Sequence, residues 1–184
     1  GTALMEPVQV AGIVRESIVD GPGLRFVLFV QGCPHRCPGC HNPQTHDPAG
    51  GSPVPPERIL EEFDKNPLVR GMTLSGGEPV DQAERLVPLC DEVLRRGKDL
   101  VLFTGYTFEE LLKLGEGRPA VLSLLSKCRL LIDGRFVEAQ KDLSLTFAGS
   151  RNQRLLDPAA SLRAGRAVAF DFQENILDTK RMAD

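Results

Sequence analysis

Three cysteines lie close together in the stretch CPHRCPGC, where Cys33, Cys37 and Cys40 follow the pattern C-x3-C-x2-C. Soft thiolate ligands suit iron–sulfur clusters, and three of them at this spacing can hold three irons of one 4Fe-4S cluster. The remaining cysteines, Cys90 and Cys128, lie far along the chain. The fourth iron would therefore keep open coordination sites, as the metal of a catalytic centre does. The pattern predicts an iron–sulfur enzyme rather than a simple electron carrier.

Two other interpretations of the three thiols stay open at this point. A structural zinc site needs four closed ligands, and His35 or His41 could supply the fourth. The thiols could also be unrelated to one another. A further alternative, from a different class, is an iron–sulfur or zinc protein that binds a partner without catalysis. If the cysteines hold a cluster, His35 is expected to be exposed or to lie behind the ligands, and His46 to be an ordinary loop residue.

The composition excludes several function classes. The chain has 184 residues, of which 41% are hydrophobic, and this suits one domain with a real core. The net charge is −3 and no block of basic residues is present, so no nucleic-acid partner is expected. No apolar run approaches the ~20 residues of a membrane-spanning helix, so no membrane partner is expected. The odd number of cysteines, five, argues against a disulfide framework and for a reducing, cytoplasmic location.

Short apolar runs rich in β-branched and aromatic residues are the strand candidates. They are Leu24–Val30, Gly71–Leu74, Leu100–Phe103 and Leu130–Ile132, with Leu143–Phe147 and Ala167–Phe172 as further candidates. Helical periodicity lies between them, over Pro56–Lys65, Gln82–Arg96, Phe108–Leu114 and Ala120–Ser126. Strands that alternate with helices predict an α/β fold with a mostly parallel sheet.

Four loop segments come directly after four of these strands. They are the cysteine loop, Gly76-Gly77-Glu78-Pro79, Thr104-Gly105-Tyr106 and Asp133-Gly134-Arg135. Because ligands of parallel α/β folds bind at the carboxyl ends of the strands, the four segments are expected to form one site. There, Gly76 and Gly77 would let the backbone approach a ligand, and Glu78 could accept from a cationic amino group. The alternative is that these segments are plain turns, with Glu78 at a helix N-terminus.

The cysteine loop, followed one β-α unit later by Gly76-Gly77-Glu78-Pro79, resembles the signature of radical S-adenosylmethionine (SAM) enzymes. The resemblance implies that the amino and carboxylate groups of SAM bind the fourth iron. It also implies that Gly76, Gly77 and Glu78 orient SAM, and that His41 lies beside the SAM adenine.

A narrower resemblance begins ahead of the first predicted strand. The segment DGPGLR, which starts at Asp20, resembles a loop of the enzymes that activate glycyl radical proteins. The segments Thr104–Tyr106, Asp133–Phe136 and Gly149–Arg154 resemble, in the same order, segments of the proteins that activate anaerobic (class III) ribonucleotide reductases. The resemblance runs from about Val14 to Leu155. Arg151 departs from it, since a second serine is common at that position.

For the site, this resemblance implies that Thr104 and Gly105 belong to the cofactor-binding residues. It places Asp133 and Arg135 near the SAM carboxylate, with a monovalent cation bound through Asp133. The residues expected to contact the partner protein are Asp20, Gly21, Pro22 and Gly23.

The implied fold is a partial, open (β/α)6-type radical SAM barrel. It would form a single domain over residues 5–184, with a core at about 14–155 and an extension, 156–184, of unassigned role. One cluster is expected, since no cysteine-rich insertion separates Cys40 from Gly76.

The implied activity is reductive cleavage of SAM to a 5′-deoxyadenosyl radical, which takes a hydrogen atom from a glycine of a partner protein. By the resemblance, the partner is anaerobic ribonucleotide reductase, and a flavodoxin- or ferredoxin-type protein donates the electron. The alternative within the superfamily is an enzyme that acts on a small molecule or a peptide, for example in deazapurine synthesis.

Overall fold

A seven-stranded mixed sheet runs through the computed structural model, which describes residues 5–173. The strands are β1 (Val8–Ser17), β2 (Arg25–Val30), β3 (Ser52–Val54), β4 (Gly71–Gly76), β5 (Asp99–Phe103), β6 (Leu130–Asp133) and β7 (Arg154–Leu156). Their order across the sheet is β3-β1-β2-β4-β5-β6-β7. Strands β2, β4, β5 and β6 are parallel, whereas β1, β3 and β7 are antiparallel to their neighbours.

Within the described residues, five α-helices connect or follow the strands. They are α1 (Pro56–Asp64), α2 (Ala83–Arg95), α3 (Phe108–Gly117), α4 (Pro119–Lys127) and α5 (Pro158–Ala164). A capping box starts α3, because the side chains of Thr107 and Glu110 each accept from the backbone amide of the other. Asp157 caps α5, and Gly165 ends it with a φ of 68°. Over residues 5–173, none of the helices combines the length and the apolar character that crossing a bilayer requires.

The two faces of the sheet are covered differently. Every second side chain of the parallel strands points to the same face of the sheet. On one face these side chains, such as Phe26, Leu28 and Met72, pack under the helices in one large core. Side chains of the other alternation, including Val101 and Ile132, form a second, smaller apolar group. We call the face that carries this second group the site face.

The predicted mixture of α-helices and β-strands is confirmed. The first four strand candidates and the four predicted helices are all present, with small shifts at their ends. The two further strand candidates are wrong. Leu143–Phe147 forms turns, and Ala167–Phe172 contributes only one isolated bridge. Both segments serve as apolar covers instead, since Phe147 and Phe170 pack on the site face.

Three strands were not predicted, and the sheet is open. Strand β1 has no clean alternation and contains two register irregularities opposite β2. Strands β3 and β7 have three residues each, too few to show a period of two. Within the described residues no ladder joins β3 to β7, so the structure shows an open sheet rather than a barrel.

The described part of the C-terminal extension packs against the sheet. Residues 156–173 end strand β7, form α5 and bring Phe170 onto the site face. Residues 174–184 of the predicted domain lie outside the described part of the chain.

Candidate active site

The cysteine loop follows β2 and is held by the segment that comes after it. The Gly32 amide donates to the Thr45 carbonyl (2.6 Å), and the Cys33 amide donates to the His46 carbonyl (3.1 Å). The chain therefore folds back on itself and fixes the point at which the cysteine loop begins.

Cys33, Cys37 and Cys40 are each half-buried and line one cavity of about 470 Å³. The Asn42 amide donates to the sulfur of Cys40 (3.4 Å). Burial raises the pKa of the Cys33 thiol, while hydrogen bonds from two backbone amides of the loop act in the opposite direction. Amide donors to sulfur are among the groups that tune an iron–sulfur cluster.

The cavity lies where the carboxyl ends of β2, β4, β5 and β6 meet. The predicted cofactor-binding residues that line it are His41, Gly76, Gly77, Thr104 and Gly105, and Asp20 of the predicted partner loop lines it as well. The other predicted residues are not among those that line it: Glu78, Asp133, Arg135, Gly21, Pro22 and Gly23.

Gly76 and Gly77 are required by the packing of the loops themselves. A Cβ atom on Gly77 would lie 2.4 Å from the carbonyl oxygen of Gly32. On Gly76, whose φ is 96°, it would lie 2.6 Å from the nitrogen of Val30. Both contacts are with backbone, so only glycine lets the loop after β4 lie against the loop after β2. These two loops form one wall of the cavity.

Glu78 is completely buried between three loops. Its Oε1 accepts from Nε2 of His35 (2.7 Å) and from the Gly105 amide (2.8 Å). Its Oε2 accepts from the Thr104 hydroxyl (2.9 Å) and from the Val80 amide (3.0 Å). The carboxylate thus accepts four hydrogen bonds from the chain itself. The SAM amino group could donate to Glu78 only by displacing one of these donors or by sharing an oxygen with it.

Asp133 is buried at the end of β6 and is bound by Arg154 of β7. Nε of Arg154 lies 3.0 Å from Oδ1 of Asp133, and the Phe108 amide donates to Oδ2 (2.8 Å). Hydrogen bonds to Asp133 and Glu109 raise the pKa of the Arg154 guanidinium. Asp133 therefore ties β6, β7 and the start of α3 together, and a cation bound through Asp133 would compete with Arg154.

Arg135 forms a bidentate pair with Glu110, the N3 residue of α3, with N–O distances of 3.0 and 3.2 Å. Hydrogen bonding to Arg135 is the main reason that the pKa of Glu110 falls to about 2. The Arg135 side chain is 43% exposed. Arg135 therefore fixes the position of the loop after β6 relative to α3.

The predicted partner loop, Asp20–Gly23, is anchored by the buried side chain of Arg25. The Arg25 guanidinium donates to the Pro22 carbonyl (3.0 Å) and to the Thr73 hydroxyl (2.7 Å). The Thr73 hydroxyl donates in turn to the carbonyl of Asp20 (2.7 Å). Burial lowers the pKa of Arg25. Arg25 therefore holds Pro22 directly, and Asp20 through Thr73.

The cavity wall fits a bound group, because it contains a polar atom without a partner. Nε2 of His46 is buried and has no hydrogen-bond partner in the described part of the protein. His46 lies in the wall between the 470 Å³ cavity and a second one of about 630 Å³. Buried polar atoms are nearly always hydrogen-bonded, so a hydrogen-bonding atom of a bound group would complete this site.

The donor set also fits an iron–sulfur cluster. Three soft thiols face one space, and thiolates are the usual ligands of such clusters. Among residues 5–173, no three Cys, His, Asp or Glu side chains converge closely enough to hold one metal ion.

Three residues that hold the site together were missed by the sequence analysis: His35, Arg25 and Arg154. His35 was expected either to be exposed or to lie behind the ligands, and the structure shows the second: its side chain is only 4% exposed and binds Glu78, a partner that the sequence did not indicate. Arg25 and Arg154 lie inside segments that carried the resemblance, yet nothing in the local sequence indicates that Arg25 is buried or that Arg154 binds Asp133. Only the fold brings those partners together.

The sheet and the three thiols that line one cavity at its edge are the arrangement expected of an iron–sulfur protein. A family described as 4Fe-4S single cluster domain matches residues 19–156, and the chain belongs to it.

Curated relatives narrow the assignment. The anaerobic ribonucleoside-triphosphate reductase-activating protein of Escherichia coli K12 is 36% identical over 146 residues, which cover 74% of this chain and 90% of that protein. The proteins of the same name from Haemophilus influenzae and enterobacteria phage T4 are each 35% identical, and the matches cover 74% of this chain with 89% and 86% of those proteins. The chain belongs to the family of anaerobic ribonucleoside-triphosphate reductase-activating proteins, as the sequence resemblance indicated.

Among solved structures, QueE from Escherichia coli aligns with 55% of this chain and 53% of its own, with a TM-score of 0.41 and 20% identity. This partial likeness carries no conclusion about the fold or the activity.

Proposed function

We propose that this protein is a radical SAM activase that cleaves SAM reductively and generates a glycyl radical on an anaerobic ribonucleotide reductase. The curated relatives carry the name of reductase-activating proteins and match most of the chain. The observation that carries the proposal is the cavity, in which three thiols face the loops after β4, β5 and β6.

The cysteines would hold one 4Fe-4S cluster, and the cluster with SAM supplies one-electron cleavage and hydrogen abstraction when both are bound. The protein's own contribution is to bind and orient SAM beside the cluster. His41, Gly76, Gly77, Thr104 and Gly105 are proposed to contact SAM, because they line the space next to the thiols. Glu78, Asp133 and Arg135 are proposed to belong to the same cofactor site, which they border from outside the cavity lining.

The loop Asp20–Gly23 is proposed to contact the partner protein. Asp20 reaches the cavity, and the two residues before it, Ile18 and Val19, are 75% and 70% exposed. Exposed aliphatic side chains next to an active-site opening suit contact with a protein surface. Leu143, which is 89% exposed, borders the same cavity.

Several finer expectations stay proposals. The open sheet is compatible with a partial (β/α)6 barrel, and residues 5–184 with a single domain. A monovalent cation at Asp133 would require the carboxylate to share or leave Arg154. A flavodoxin- or ferredoxin-type electron donor and a cytoplasmic location are proposed from the resemblance and from the free cysteines.

The test is anaerobic incubation of the reconstituted protein with SAM, dithionite and a candidate anaerobic reductase. We expect 5′-deoxyadenosine to form and a glycyl doublet to appear in the electron paramagnetic resonance spectrum of the partner. Cys37→Ala should abolish both signals, whereas Cys90→Ala, at a buried cysteine remote in sequence from the loop, should keep them.

Each alternative predicts a different result. 5′-Deoxyadenosine without a glycyl radical on any reductase would indicate a small-molecule or peptide substrate. No 5′-deoxyadenosine from iron-loaded protein, or zinc in the three-thiol loop of protein prepared anaerobically, would indicate a non-catalytic protein.

A further inference from the structure

We propose that His35 is a positioning residue, which locks the cysteine loop to the loops after β4 and β5 through the carboxylate of Glu78. We call this pair the His35–Glu78 latch. The inference rests on the proposed function, since the two sides of the latch would hold the cluster and SAM. It assigns Glu78 the task of fixing the cavity wall rather than that of touching SAM.

The first argument is the hydrogen-bonding capacity of Glu78. An ionised carboxylate offers about four acceptor positions. Four donors of the chain lie within 2.7–3.0 Å of its two oxygens, and the residue is completely buried. A fifth donor, such as the ammonium group of SAM, would have to displace or share with one of them.

The second argument is where those donors come from. His35 belongs to the cysteine loop, Val80 follows Gly76-Gly77 after β4, and Thr104 with Gly105 follows β5. One carboxylate therefore joins the three loops that carry the thiols and the proposed SAM contacts. Because Glu78 accepts, the hydrogen bond from the imidazole requires the proton on Nε2 of His35.

The third argument is the fit of the imidazole ring. The His35 side chain is 4% exposed and packs edge-on against Tyr106, with ring centroids 4.6 Å apart. A Cβ atom on Gly105 would lie 2.4 Å from Cδ2 of His35. Gly105 is thus needed to make room for the imidazole, whether or not SAM approaches it.

His35 is two residues from Cys33 and two from Cys37, so its position fixes that of both thiols. The Gly76–Gly77 wall is fixed on the other side by its contacts with Gly32 and Val30. Loss of the imidazole would leave the buried Glu78 carboxylate short of one donor and would let the cysteine loop move relative to the SAM wall. We therefore expect SAM affinity to depend on His35 even though His35 does not touch SAM.

The test compares SAM binding to iron-loaded His35→Ala, His35→Gln, Gly105→Ala and the double variant His35→Ala/Gly105→Ala. His35→Ala should weaken SAM binding about tenfold or more, the factor expected for a lost hydrogen bond to a buried charge. His35→Gln keeps an N–H donor and should recover most of the affinity. Gly117→Ala, with open space around its Cβ position, is the matched glycine control.

The double variant separates the two roles of Gly105. If Gly105 makes room for His35, Gly105→Ala should weaken SAM binding in the wild-type background and cost at most about twofold more in His35→Ala. An equal loss in both backgrounds would show that Gly105→Ala does not act through His35 and would contradict the third argument. Wild-type SAM affinity in His35→Ala would overturn the proposal.

A second readout needs no cofactor. In the cluster-free protein, hydrogen–deuterium exchange should rise together in the segments 32–40, 76–80 and 104–106 of His35→Ala, and His35→Gln should restore protection. Exchange that rises over the whole chain would show general unfolding and would contradict a local latch. If wild-type protein binds SAM but forms no 5′-deoxyadenosine with any reductant, the proposed function is wrong. The His35–Glu78 latch is then still tested by the exchange data.

Discussion

Gly77 lies where the loop after β4 touches the loop after β2, and three backbone atoms of Gly32 are within 3.0 Å of its Cβ position. Gly77→Ala should therefore lower the free energy of unfolding by about 1–3 kcal/mol, as overpacking does at rigid sites. Gly12→Ala, in β1 with nothing within 4 Å, is the control and should change stability by less than about 1 kcal/mol. Urea denaturation of the cluster-free proteins measures both, and equal stability of the two variants would contradict the packing role of Gly77.

His46→Leu should have opposite effects in the cluster-free and in the loaded protein if a bound group is the missing partner of Nε2, which has none among the described residues. His46→Leu removes a buried polar atom, so the cluster-free protein should be as stable as wild type or more stable, by up to about 1 kcal/mol. The loaded protein should lose its iron–sulfur absorbance roughly threefold faster when a chelator is added. If His46→Leu destabilises the cluster-free protein and leaves cluster retention unchanged, Nε2 stabilises the protein fold and does not bind the group in the cavity.

At this scale the sequence identified the residue types of the site but not the contacts of each side chain. The cysteines were found because three soft ligands in eight residues are informative by themselves. Glu78 was expected to face a ligand, which stays a prediction, and the structure adds that it accepts from four donors of three loops. Such bonds join residues up to 43 positions apart, and local pattern does not encode them.

At the scale of the elements, the start of α3 depends on an ion pair that pH can break. The pKa of Glu110 falls from 4.5 to about 2 in the folded protein, mainly through Arg135. Because the pKa of Glu110 is lower in the folded than in the unfolded protein, the ion pair stabilises the fold at pH values above the unfolded pKa. This stabilisation is lost as the pH falls from about 4.5 toward 2. Because both side chains are about 40% exposed, solvent screening should keep the contribution below about 1 kcal/mol.

A double-mutant cycle of Glu110→Gln and Arg135→Gln isolates this pair. The coupling free energy from urea denaturation should be favourable at pH 6 and should vanish as the pH approaches 2. Coupling of the same size at pH 6 and pH 2.5 would contradict the assigned pair.

The elements that sequence predicts best are those with a long, regular pattern. All four periodic helices are present, and α1 and α2 end within one residue of the predicted bounds. The missed strands β1, β3 and β7 flank the parallel core of the sheet. Only part of β1 is buried, so its residues show no regular alternation of apolar and polar types. Strands β3 and β7 are too short to show such an alternation. Their existence follows from pairing with a neighbour, a long-range property.

At the scale of the whole molecule, the C-terminal segment closes the site face of the sheet. Phe170 is 8% exposed and packs with Val101, Leu130 and Ile132. Around this group pack Phe103 and Phe147, which also line the cavity beside the cysteines. The apolar group and the three-thiol cavity therefore share these two side chains.

Phe170→Ala should lower the free energy of unfolding by about 3 kcal/mol, as truncation of a buried phenylalanine does. Phe172→Ala is the matched control, because Phe172 is 38% exposed and meets Phe170 edge-on at 4.8 Å. Phe172→Ala should lower the free energy of unfolding by less than about half as much as Phe170→Ala does. Far-ultraviolet circular dichroism during urea denaturation is the suitable probe, since the chain contains no tryptophan.

The same pair of variants tests whether the cover supports the site. Loss of Phe170 leaves space behind Phe103 and Phe147, so these rings can shift away from the thiols and the cavity wall loosens. SAM affinity of iron-loaded Phe170→Ala should fall severalfold under conditions where the protein is still fully folded, and Phe172→Ala should bind SAM nearly as wild type does. Equal SAM affinity of the two variants, with the stability difference intact, would show that the tail stabilises the sheet without shaping the cavity.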